Sequence, residues 1–79
     1  MDYDKDKVDE FTLALLWLTS FKDPAGIRVW KGQDWGTMGR LHEKGFISDP
    51  RSKTKSVLLS EAGEKKSREL FAKHFSRVS

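Results

Sequence analysis

Apolar residues recur at Val8, Phe11, Leu15 and Leu18, a spacing that brings them onto one side of a helix over residues 4–20. Asp and Glu crowd its first turns, where the exposed backbone N–H groups favour negative charge, and neither Gly nor Pro interrupts it. Leu13, Ala14, Leu16 and Trp17 fill the other faces. The second half is therefore apolar all round, so it forms the centre of the fold or meets a partner.

In "KDPAGIRVWKGQDW", Asp23 can cap a helix, Pro24 suits its first position and Gly32 can end it, which predicts a short second helix over 24–31. Gly26, Ile27 and Val29 are mediocre helix formers, however, and "IRVW" suits a short strand equally. Asp34 caps a third helix over 34–44, with Trp35, Met38 and Leu41 as its inward face and Gly45 as its stop. "FIS" and "KSVLL" are β-prone runs joined by the polar turn "DPRSKT", a pattern that predicts a two-stranded hairpin over 46–59. Ser60 then caps a last helix from Glu61 to about Arg77, with Leu70, Phe71, Phe75 and Val78 at helical spacing. The expectation is one domain over residues 1–79, mainly α with a small antiparallel hairpin, in the winged helix-turn-helix order α-α-α-β-β-α.

A chain of 79 residues has room for one marginal core. With 37% hydrophobic and 34% charged residues, it reads as a globule and not as a membrane or disordered chain. The longest apolar run, "LALLWL", is far short of the ~20 residues that span a bilayer. The lack of cysteine removes disulfides, thiolate zinc sites and thiol nucleophiles, and suits a reducing compartment such as the cytoplasm. The acidic start "MDYDKDKVDE" has none of the features of a secretory leader. The net charge is +3, with the positive charge concentrated mid-chain, a distribution compatible with an anionic partner.

The segments "RLHEKGFI" and "SVLLSEAGEKKSRELF" resemble the second half of bacterial winged helix-turn-helix domains. In those domains a recognition helix ends in glycine and two apolar residues, and the wing's return strand enters a Leu-Ser/Thr-x-x-Gly helix start, here Leu59, Ser60 and Gly63. Over more of the chain, "DEFTLALLWLTSF", "WKGQDW", "RLHEKGFISDP" and "KSVLLSEAG" resemble a family of small bacterial proteins defined only as a domain of unknown function. The second resemblance implies no activity.

If helix 34–44 is a recognition helix, Thr37, Arg40 and Lys44 are the side chains for a DNA major groove, with Arg40 the best base-edge contact. Asp34 and Glu43 cancel the charge of Arg40 and Lys44, which weakens that reading. On the hairpin, Arg51, Lys53 and Lys55 alternate, so an extended strand would place all three on one face towards phosphates. Lysines on an edge strand also serve to prevent aggregation. Gly36 and Gly39 within a helix suggest close packing on a neighbour. Trp17, Trp30 and Trp35 are expected to pack the core, with base stacking the competing use.

His42 and His74 lie on different helices without a metal-ligand pattern, and no nucleophile or phosphate-loop motif is present, so neither an enzyme nor a cofactor or metal is expected. His74 reads as a partly buried packing residue beside Phe71 and Phe75. The leading expectation is a nucleic-acid-binding, transcription-related protein, with double-stranded DNA as partner. The alternative is a protein-interaction or dimerisation module, a homodimer formed through helix 1 and the C-terminal helix.

Overall fold

The computed structural model describes residues 1–77. Its order is α1 (Lys5–Leu18), β1 (Phe21–Asp23), β2 (Gly26–Trp30), α2 (Trp35–Glu43), β3 (Ser56–Leu58) and α3 (Glu61–Phe75). The fold is thus a small mixed α/β arrangement of three helices and a three-stranded antiparallel sheet, β1-β2-β3. Val78, expected in the apolar stripe of the last helix, lies outside the described residues.

This order corrects the winged helix-turn-helix expectation, because residues 24–31 form no helix. The Asp23 carboxylate accepts from the backbone N–H of Ala25 (2.8 Å) and of Gly26 (3.2 Å), as an N-cap would. Gly26, however, takes φ +138°, a conformation open mainly to glycine, and the chain reverses. Asp23 then faces Gly26 and Phe21 faces Arg28 across a tight hairpin. The β-branched residues Ile27 and Val29 favour that outcome.

The expected hairpin over 46–59 is corrected too. β3 pairs mainly with β2, Val29 opposite Val57 and Trp30 opposite Ser56. Segment 46–48 contributes a single bridge, Ile47 to Leu59. Pro50 has no N–H to extend that pairing, and Asp49 is turned onto the backbone and side chain of Arg51.

The cap residues Asp4, Asp34 and Ser60 each accept from an N–H three residues on, satisfying a donor that helix geometry leaves free. Gly45, at φ +81°, ends α2, its N–H donating to the His42 carbonyl and that of Phe46 to the Leu41 carbonyl. The core gathers Leu13 and Leu16 of α1, Val29, Met38, Leu41, Val57 and Leu70. Glu10 meets His74, and Arg68 lies over the Trp17 ring, so α1 and α3 run antiparallel. His74 is partly buried, as expected, but its nearest aromatic neighbour is Phe11 of α1, ring centroids 4.3 Å apart, with Phe75 at 6.2 Å.

The stripe that announces α1 is not its core face. Asp9, Leu13, Ala14 and Leu16 are buried, whereas Leu15 and Leu18 are 48% and 62% exposed and Val8 and Phe11 only partly covered. Among the described residues, no helix is long and apolar enough to cross a membrane.

Candidate nucleic-acid interface

The side chains proposed for α2 are engaged within the molecule. Thr37 is fully buried; its hydroxyl donates to Asp34 (2.9 Å) and accepts from Arg40 Nη2 (3.0 Å). Arg40 Nε donates to both oxygens of Asp9, at 2.9 and 3.0 Å. Lys44 Nζ reaches Asp9 (2.9 Å) and Asp6 (3.2 Å). Burial pushes the Asp9 carboxyl up, but the hydrogen bonds and charges of Arg40 and Lys44 outweigh it and hold the group below its ordinary value. Asp9 in turn raises both cations above theirs, by hydrogen bonding first.

Loop 49–55 is different in character. Arg51 donates from Nε (3.1 Å) and Nη2 (3.0 Å) to the two oxygens of Asp49, a two-point grip that holds the guanidinium plane. Hydrogen bonds from the Arg51 side chain and backbone lower Asp49 to about 2. The side chain of Arg51 remains 75% exposed, and Lys53 and Lys55 are exposed. Residues 51–55 lie in turns and bends, with β3 beginning only at Ser56, so the strand alternation expected to align the three cations does not arise. Lys31 braces the loop from within, its amine donating to the carbonyls of Pro50 (3.0 Å) and Ser52.

Two tryptophans border this loop, which corrects the expectation that both pack the core. Trp17 does pack against it, but Trp30 is 50% and Trp35 60% exposed. Trp30 sits opposite Ser56 and against Phe21, ring centroids 4.8 Å apart. Reading "IRVW" as a strand would have found it, since the residue after buried Val29 must point the other way. Trp35, at the first position of α2, shares a groove of about 260 Å³ with Gly39, His42 and Glu43 of the same helix and with Asp49 and Arg51 of the loop. Nothing lies within 4 Å of where a Gly39 Cβ would stand, and at Gly36 only the Asp34 and Arg40 side chains do, at 3.5 and 3.6 Å. The expected close helix packing at these glycines is therefore absent. Of the structural acids, Asp9 was missed; its signal was the i, i+4, i+7 register with Leu13 and Leu16.

Two comparisons locate the chain among known proteins. It is 48% identical over 77 residues to the "Uncharacterized protein y4hR" of Sinorhizobium fredii (strain NBRC 101917 / NGR234), covering 98% of this chain and 100% of that protein. No solved structure matches. The family model of the domain of unknown function DUF6429 matches residues 4–77. With that span, and with a relative aligned end to end, the chain belongs to the DUF6429 family.

Proposed function

We propose that this protein is a non-enzymatic nucleic-acid-binding module whose phosphate contacts come from loop 49–55 and not from the cations of helix α2. The observation that carries the reading is the contrast between the two sets of cations. Arg40 and Lys44 are committed to Asp9, whereas Lys53 and Lys55 form no salt bridge among the described residues, beside an Arg51 whose side chain is largely in solvent. Phosphates are met by exposed, mobile ammonium groups without any need for base-edge geometry. Two such contacts give a salt slope of only about −1.8 on duplex DNA, so binding is weak and sequence-independent in a single copy. A transcription-related role then depends on a second copy or a partner. On this reading the compartment is the cytoplasm, which the cysteine-free sequence suits.

The test is an amide chemical-shift titration with nucleic acid at low salt and again at ~200 mM, where phosphate binding weakens sharply. Shifts centred on residues 51–55 that fade with salt support the reading. An unperturbed spectrum at low salt overturns it.

A second reading has its own observation. Val8, Phe11, Leu15 and Leu18 repeat at the three-four spacing of a helix–helix seam, and Phe75 of α3, 43% exposed, extends the patch beside Phe11. A two-fold dimer through α1 and α3 would cover it, with no requirement for nucleic acid.

A further inference from the structure

We propose that the groove between α2 and loop 49–51 seats one unpaired base of a single-stranded nucleic acid, stacked on Trp35, while Lys53 and Lys55 meet neighbouring phosphates. This rests on the reading of the loop as a phosphate-binding surface and specifies the class of strand.

The lining of the groove suits a flat ring. Trp35 supplies an exposed aromatic wall, and aromatic side chains stack any base because every base has a π-face. One helical turn further on, Gly39 leaves bare backbone, with open space where a Cβ would be. Across the groove stands the Arg51 guanidinium, held flat by its two hydrogen bonds to Asp49, and such planes also stack on unpaired bases. A volume of about 260 Å³ lies below the ~300–1,000 Å³ of clefts for larger ligands, which suits a single ring system.

Charge decides which part of the strand enters. Arg51 lines the groove together with Glu43 and Asp49, but its charge is taken up by Asp49, which leaves Glu43 to repel a phosphate, so the uncharged base is the part that fits. The cations that would meet the backbone follow Arg51 along the same loop, exposed at positions 53 and 55. In a duplex the bases are already paired and stacked on one another, and α2 has no uncommitted cation with which to approach a groove.

The test is fluorescence anisotropy at low salt with a labelled oligothymidylate and, separately, a duplex of the same length. The proteins are the wild type, Trp35→Ala, Gly39→Leu and the double variant Lys53→Glu/Lys55→Glu, each checked for folding by circular dichroism. The expected result is a preference for the single strand, reduced about 5-fold or more by Trp35→Ala and comparably by Gly39→Leu, which fills the slot. Strand binding that ignores both groove variants but vanishes in the double lysine variant overturns the base seat and leaves the phosphate reading standing. A preference for duplex does the same. Failure of the wild type to bind either ligand sinks both.

Discussion

Arg40 and Asp9 form the central polar contact of this fold: one guanidinium nitrogen donates to both oxygens of a buried carboxylate 31 positions earlier. The pair ties α2 to α1, and Lys44 adds a second cation to the same acid. A buried carboxylate is tolerated only when its oxygens are satisfied, so two of the cations that look available for DNA are used to bury Asp9.

Asp9→Asn is therefore expected to destabilise the protein by about 2 kcal/mol. This is below the ~3–5 kcal/mol for breaking a fully buried pair, because Arg40 and Lys44 are part-exposed and regain water. Chemical denaturation of the two proteins at neutral pH measures it; equal midpoints would show the pair to be energetically idle.

The same pair sets a pH dependence. In the folded state the Asp9 carboxyl lies below its ordinary value of 3.8, so the unfolded chain binds the proton more readily. The stabilisation is complete above that ordinary value and is lost as pH falls through the lower folded value. The difference in urea midpoint between wild type and Asp9→Asn should hold constant from pH 7 to about 5 and narrow below about 4. A gap that widens in acid contradicts the sign.

Two helical glycines should respond oppositely to alanine. A Cβ at Gly63 would stand 1.9 Å from the Phe46 carbonyl oxygen and 2.7 Å from its carbon, and backbone atoms cannot swing aside. Gly63→Ala is expected to cost at least the ~1–3 kcal/mol of an overpacked site. Gly39 meets nothing, and Gly39→Ala should stabilise by about 0.5–1 kcal/mol through helix propensity. Thermal melting of the two variants checks both signs.

Charge reversal at Lys53 and Lys55 separates the two functional readings. In the nucleic-acid reading, Lys53→Glu/Lys55→Glu abolishes the low-salt titration response while the melting temperature stays within a few degrees, since both side chains are exposed. An unchanged titration response would remove the loop from the interface.

Leu15→Glu/Leu18→Glu addresses self-association. If α1 is a dimer seam, sedimentation should show the wild type as a dimer and the variant as a monomer of unchanged helix content, because both leucines lie outside the core. A monomeric wild type at high concentration ends that reading.

Local chemistry alone determined much of this protein. The caps at Asp34 and Ser60 and the stop at Gly45 were legible because each depends on a few neighbouring residues, and α1, α2 and α3 fall within one or two residues of the bounds their patterns predict. Membership of the family was legible as a resemblance carried by four continuous segments. What tertiary structure decided is which of two competing local options wins. Asp23 can start a helix or a turn; β2 became a strand because β3 was there to pair with it on one side and β1 on the other. The most regular apolar stripe of α1 lies at the edge of the core, with Leu15 and Leu18 outward and Phe11 against α3, because the opposite face, Asp9, Leu13 and Leu16, meets the rest of the core and the cations Arg40 and Lys44. Periodicity reports that a helix has faces, but which face is buried depends on partners distant in sequence. The same holds for the candidate site: the sequence lists the cations, and only the fold assigns Arg40 and Lys44 to an internal acid and leaves Lys53 and Lys55 in solvent.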